Sequence, residues 1–347
     1  MEDKDDHVYY NVLFNNVTNL PQQAVFSETR TANLIENPQD FHMCFVRFSI
    51  PTQLIPLFLW PTINNDGVTV NNNYYSFTYS YGSTIYRSYL TYLPWTSNVM
   101  PAVYVYQNFI DCMNIALYNG FIYMKANAPG FPGLLPPYFI YDAATQVFSL
   151  VADTTFFCNS TTSTGIKLYS NYILHTFFES IPHIEISFNS SQGTDELFVI
   201  ENIGNNTVTT NYPSWLGVYT AESGYRMDAQ YPILQNWSSL KSIIFTSSEL
   251  RTKTEYIQSI STLNQNANLN IITDYEPSRS ELGYQRSWAQ FFPKIYRYAD
   301  MTSNVPLQSV SIQVYWSDIL NNLYPIYIPP GLYFSIKILF KKKYLVY

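Results

Sequence analysis

Two runs near the C-terminus constrain this chain more than any other feature. In Gln308–Trp316, Val310, Ile312, Val314 and Trp316 alternate with Ser309, Ser311, Gln313 and Tyr315. In Tyr333–Phe340, Phe334, Ile336, Ile338 and Phe340 alternate with Ser335 and Lys337. A period of two is the signature of a strand with one buried face, and a slip of one residue would turn every large apolar side chain to water. The two runs are therefore expected to face one common core. Leu323–Ile328 reads as a further strand, and Pro329-Pro330-Gly331 as the turn before the last one, the prolines fixing φ and the glycine allowing the reversal. Lys341–Lys343 is expected to leave the sheet as a charged end.

The same pattern recurs along the chain. Val8–Phe14 and Phe41–Ile50 read as strands, the second with Cys44, Val46, Phe48 and Ile50 on one face. Tyr74–Tyr81 and Thr84–Leu93 read as a hairpin around Gly82-Ser83, and Tyr138–Tyr141 and Val147–Ala152 as another. Ile184–Phe188 is expected to pair with Leu197–Asn202, and Leu240–Ser247 to be a buried strand, while Asp274–Arg286 reads as a polar loop. Only two helices are expected. One is Gln107–Asn119, with Phe109, Met113 and Leu117 on one face and Gly120 as its C-terminal cap; the other is Asn171–Glu179. Many short strands with turns every ten residues or so imply an all-β chain, an antiparallel β-sandwich or jelly roll of one or two domains with one or two short helices. The Ser/Thr/Asn-rich stretch Cys158–Gly165 is the most linker-like, which suggests an N-terminal β-rich domain over 1–162 and a C-terminal one over 163–347.

Composition narrows the function. Of 347 residues, 47% are hydrophobic and only 12% charged, with 32 Tyr and 23 Phe. Such a chain is not disordered. Tyr combines rigid contact area with a polar tip, and interface cores are depleted in charge, so the composition suits lasting contact with neighbours. A net charge of −7 argues against nucleic-acid binding by bulk attraction. Cys44, Cys112 and Cys158 form no CxxC pair and suit free thiols made in a reducing compartment. The acidic start Met1–Asp6 is not a signal peptide, and Phe45–Trp60, broken by Arg47, Pro51 and Pro56, is no spanning helix. The five Asn-x-Ser/Thr sequons, at Asn16, Asn159, Asn189, Asn205 and Asn236, read as accidents of an Asn-rich chain.

The motifs of catalysis are missing: no GxSxG, P-loop, GxGxxG or HExxH occurs. His7, His42, His175 and His183 lack metal-ligand spacing, and neither a metal nor a cofactor is expected. Glu179, Glu185, Asp195 and Glu196 are close in sequence, but glycoside cleavage needs a set carboxylate separation that sequence does not specify. Two sets remain as candidate contact residues. Arg279, Tyr284, Arg286, Trp288, Tyr296, Arg297 and Tyr298 could bind a polyanion or a sugar, but their Arg/Tyr/Trp make-up is that of interface anchors, which is the preferred reading. Lys341, Lys342 and Lys343 form a basic run, which is either a patch touching nucleic acid or an acidic neighbour, or a charged strand end that discourages edge-to-edge aggregation.

Several stretches resemble the jelly-roll capsid proteins of small double-stranded DNA viruses, the polinton-like viruses and virophages. They are Phe26-Ser27-Glu28-Thr29-Arg30-Thr31, Val46-Arg47-Phe48-Ser49-Ile50-Pro51, Ile244-Phe245-Thr246-Ser247-Ser248, Val314-Tyr315-Trp316, and Tyr324-Pro325 through Pro330-Gly331 to Lys337-Ile338-Leu339-Phe340. The resemblance implies a virion structural protein. The length is nearer a penton or other minor capsid protein than a double-jelly-roll major one. Its partners would be other copies of itself, as a pentamer or trimer, and other capsid proteins. It would be made in the host cytoplasm or nucleus without secretion or a membrane span. A receptor- or glycan-binding fibre or spike is the alternative, with exposed Trp and Tyr serving a sugar.

Overall fold

The fold is described from a computed structural model over residues 7–63, 69–94, 101–142, 147–185, 195–201, 224–231, 237–253, 270–277, 288–293 and 296–343. The chain divides into two compact units, one of Met1–Pro56 with Ser239–Tyr347 and one of Leu57–Ser238. The first stretch supplies β1 (His7–Asn15), β2 (Gln22–Gln23), β3 (Val25–Thr29) and β4 (Phe41–Pro51). The second unit supplies β5 (Phe58–Leu59), β6 (Ser76–Tyr81), β7 (Thr84–Tyr89), β8 (Ala102–Val103), α1 (Tyr106–Asn127), β9 (Tyr138–Asp142), β10 (Val147–Asp153), β11 (Lys167–Asn171), α2 (Tyr172–His175), β12 (His183–Glu185), β13 (Asp195–Phe198) and β14 (Gly224–Asp228). The first unit then resumes with β15 (Leu240–Thr246), β16 (Ile271–Tyr275), β17 (Trp288–Phe291), β18 (Ala299–Asp300), β19 (Ser309–Asp318), β20 (Leu323–Pro325), β21 (Tyr327–Ile328) and β22 (Tyr333–Lys342). Strands and isolated bridges make up 48% of the described residues, in antiparallel sheets of the jelly-roll type.

The break expected between residues 162 and 163 does not match this division. It falls inside the second unit, where β11 pairs with β6 from Lys167↔Ser80 to Ser170↔Phe77. The polar stretch 158–165 is a loop whose first residue, Cys158, bridges back to Ile200. A loop and a linker share the same small polar residues, so composition cannot separate them.

In the first unit, one sheet runs β1-β22-β4-β17, with β18 also on β4. The other runs β16-β15-β19-β20, with β3 also on β19. The last strand is thus central, with Val12↔Ile336 and Tyr10↔Ile338 on one side and Ile336↔Phe48 and Ile338↔Phe45 on the other. All eight alternating apolar residues of β19 and β22 are buried. They belong to opposite sheets and share the layer between them. Rings cross that layer: Phe245 of β15 lies 4.9 Å from Phe48 and 5.0 Å from Phe45, and Phe26 of β3 lies 6.1 Å from Phe14. Gly331, at φ +79, makes the turn into β22, and its amide donates to Asn16 O at 2.9 Å.

Two details differ from the expected pattern. The β4–β22 ladder shifts register between Lys337 and Ile338, so both Phe45 and Phe48 face the core while Cys44 pairs with outward Leu339. This bulge breaks the single face expected for Cys44, Val46, Phe48 and Ile50, because one extra residue inverts the alternation beyond it. Nor does the basic run leave the sheet. Lys341 and Lys342 pair with His42 and Phe41, and the Lys343 amide donates to Asp40 O.

In the second unit, a five-stranded sheet β12-β13-β11-β6-β7 and a three-stranded sheet β14-β10-β9 enclose stacked phenylalanines, with Phe77 5.9 Å from Phe139 and Phe139 5.0 Å from Phe178. α1 packs here through Phe109, Met113 and Leu117, and Asn114 exchanges two hydrogen bonds with the backbone of Phe139. The helix continues past Gly120, which is no cap. A Cβ there would meet Tyr79 Cε2 at 2.5 Å, and the Tyr79 hydroxyl donates to Leu117 O at 2.8 Å. Glycine is required by close packing, not by the end of the helix. α2 is only one turn, capped by the Asn171 side chain accepting from Leu174 N, and the expected stretch to Glu179 continues as i→i+3 turns.

Ile336→Asp loses about 1.5–3 kcal/mol of apolar burial and adds an unpaired buried carboxylate, so the first unit should lose its cooperative urea transition. Ser335→Asp, on the opposite face, should change stability by about 0.5 kcal/mol or less. A wild-type midpoint for Ile336→Asp would refute the register. For Gly120→Ala, the helix-propensity gain of about 1 kcal/mol opposes an overpacking cost of about 1–3 kcal/mol. Because Tyr79 is fully buried and tethered, the cost should win and the denaturation midpoint should fall; a rise would show that the ring can move aside.

Candidate assembly surface

Turning the apolar residues of β22 inward sends Tyr333, Ser335, Lys337, Leu339 and Lys341 to the other face of the sheet. Register sets their neighbours. His7, Lys341, His42 and Asp300 form one row across β1, β22, β4 and β18. Tyr9, Leu339 and Cys44 form the next, then Asn11, Lys337 and Arg47, then Leu13, Ser335, Ser49 and Gln290. At the far end Tyr333 lies opposite Asn15, and Trp288 opposite Pro51, with the Trp288 and Tyr333 rings 5.5 Å apart.

The charges on this face are uneven. Lys253, Lys337, Lys341, Lys343 and Arg47 lie on it or at its rim, and Asp300 is the one carboxylate among the described residues of these rows. Asp300 Oδ1 is 2.7 Å from His42 Nδ1, and Lys253 and Lys343 approach the same carboxylate to 3.5 Å. Burial pushes the Asp300 carboxyl up, but Lys343, His42 and Lys253 outweigh it and hold the group below the usual range. Aromatic rings carry the other cations. Lys337 Nζ sits 4.6 Å from the Tyr9 ring centre and Lys341 Nζ 5.9 Å from that of Tyr298. Tyr9, Leu13 and Tyr333 are each about half exposed. The arrangement can bind an anion through cations whose side chains are already positioned by neighbouring rings.

The face joins two sets that the sequence left separate. Trp288 and Tyr298 of the aromatic set share it with Lys341 and Lys343 of the basic run. Tyr296 is exposed 6.2 Å from Tyr298, and Arg297 reaches Asp274 of β16 at 2.8 Å. Lys342 is exposed at the strand end. Arg279, Tyr284 and Arg286 lie outside the described residues. Tyr9, Arg47 and Lys337 were missed because they are far apart in sequence. The outward phase of three strands known to be neighbours would have found them.

The other candidates have local partners. Cys44, Cys112 and Cys158 are free and buried, and burial pushes the thiols of Cys44 and Cys112 up to about 11. The His175 and His183 ring centres are 4.2 Å apart, and His175 Nδ1 is 3.0 Å from Ser170 Oγ. Burial and His183 hold His175 down at about 3, so its ring is neutral. Among the described residues no three His, Cys, Asp or Glu side chains are grouped to hold a metal. Asp195 is ion-paired with Arg87 at 2.7 Å, and Glu185 lies opposite Glu196 across β12 and β13.

The family model for the Sputnik minor capsid protein V18/19 matches residues 8–103 and 95–342. Structural protein V19 of the Sputnik virophage is 34% identical over 212 residues, 59% of this chain and 94% of that protein. Protein V18 of the same virophage is 30% identical over 138 residues, 33% of this chain and 83% of that protein. A chain of the Sputnik virophage particle, solved by cryo-EM at 3.5 Å, superposes with a TM-score of 0.74 at 30% identity, covering 98% of this chain and all of the other. The mavirus penton protein shares the fold, with a TM-score of 0.63 at 13% identity over 97% of this chain and 99% of that one. This chain belongs to the Sputnik minor capsid protein V18/19 family and is a structural protein of a virus particle.

Proposed function

We propose that this protein is the vertex subunit of its capsid, closing with other copies of itself into a pentamer and meeting other capsid proteins around it. The observation that carries this reading is the likeness of fold to the mavirus penton protein along nearly the whole chain. Assembly rather than catalysis is the role we assign. Copies meet through the β17–β18 margin of the first unit, where Phe292, at 62% exposure, and Tyr296 and Tyr298 present aromatic surface to solvent. Such side chains bury large area at little entropic cost and are the usual anchors of an interface. A head-to-tail contact that closes gives a ring, whereas an isologous contact would stop at a dimer. Three free buried thiols support synthesis in the host cytoplasm or nucleus. Among the described residues no helix is long and apolar enough to cross a membrane.

Mass photometry of the purified full-length protein should show a pentamer. Phe292→Asp with Tyr296→Asp should shift it to monomers while leaving the urea midpoint unchanged, since both side chains are exposed. A stable wild-type monomer or dimer, or a pentamer indifferent to the double substitution, would contradict the proposal.

A further inference from the structure

We propose that the outward face of β1, β22 and β4 binds the phosphate backbone of double-stranded DNA, the polyanion of the virus class to which this capsid family belongs. This goes beyond the vertex assignment; the face adjoins the β17–β18 margin at Tyr298, and its test leaves Phe292 and Tyr296 unchanged. Net charge argues the other way only because it averages over the surface. The chain carries −7, yet on this face and its rim Arg47, Lys337 and Lys341 of the strands stand with Lys253 and Lys343, and Asp300 is the one carboxylate among the described residues of its rows. At physiological salt the screening length is about 8 Å, so a bound phosphate responds to the face beneath it more than to distant acids.

The geometry suits a duplex. Lys337 and Lys341 lie on one side of one strand, about 13 Å apart at the rise of an extended chain. Over that length duplex DNA presents roughly eight charges. Tyr9 and Tyr298 hold the two ammonium groups over their rings, at 4.6 and 5.9 Å, so less side-chain freedom is lost on binding. The face is a sheet surface, and among the described residues of its rows no helix projects to enter a groove, which implies recognition without sequence preference. A neighbouring capsid subunit fits less well. The face cannot meet its own copy without opposing like charges.

Fluorescence anisotropy with a short labelled duplex of mixed sequence, using the full-length protein between about 50 and about 200 mM salt, tests this. Binding should weaken with salt at a log–log slope of about −4 and be indifferent to sequence. Lys337→Gln with Lys341→Gln should reduce the slope by about 2 and weaken binding at least tenfold at the lower salt. The remote pair Lys125→Gln with Lys241→Gln should leave binding unchanged, and both variants should keep the wild-type urea midpoint. No binding at the lowest salt, or equal loss in both double variants, would overturn the proposal. So would displacement of the duplex by polyglutamate as readily as by unlabelled DNA, which would assign the face to an acidic protein partner.

Discussion

The first unit depends on face-to-face burial of two sheets whose central strands come from the C-terminal end of the described chain. β22 is hydrogen-bonded on both sides, to β1 at the start of the described residues and to β4 just before the second unit begins. Its four inward side chains are buried, and the neighbouring strands of its sheet meet the other sheet through Phe48 against Phe245 of β15 and Phe14 against Phe26 of β3. Because β22 pairs with both parts of the first stretch, the sandwich cannot form until the second unit has been passed and the chain has returned. The second unit is continuous in sequence and has its own aromatic core. That arrangement lets the middle of the chain fold locally while the outer parts wait for the end.

Much of this was legible in the sequence, where one physical rule acted alone. The period-two runs placed β19 and β22 with their inward faces, and the Pro-Pro-Gly turn before β22 came from backbone preference at three residues. Misreadings arose where two causes leave the same trace. Gly120 resembles a cap because caps and close helix–sheet contacts both need a missing Cβ. The 158–165 stretch resembles a linker because loops and linkers are built from the same residues. The bulge in β4 was invisible because Phe41–Ile50 is apolar enough to satisfy either phase. The sequence also kept the cationic face hidden. Its members, from Tyr9 to Lys343, meet only through register between strands far apart in the chain.

The two faces of the β1-β22-β4 sheet have separate roles. The inner one is uniformly apolar and specifies the fold. The outer one is free to carry charge and aromatic rings, and it carries them with a bias that stability does not require. Exposed Tyr, Trp and Lys on a sheet add little to folding, since surface ion pairs and single exposed rings contribute on the order of 1 kcal/mol or less. Their concentration on one face is the observation on which the proposed contact with duplex DNA rests.

Native-state hydrogen exchange on the full-length protein tests the central claim, that β22 joins both ends of the first unit into one cooperative sandwich. The account predicts that amides of β1, β4, β19 and β22 exchange together at the slowest common rate of that unit, as expected for strands that open only when the whole unit unfolds. Exchange of β1 and β22 well ahead of β4 and β19 would contradict it, because the ends of the chain would then be an appendage to the core and not its centre.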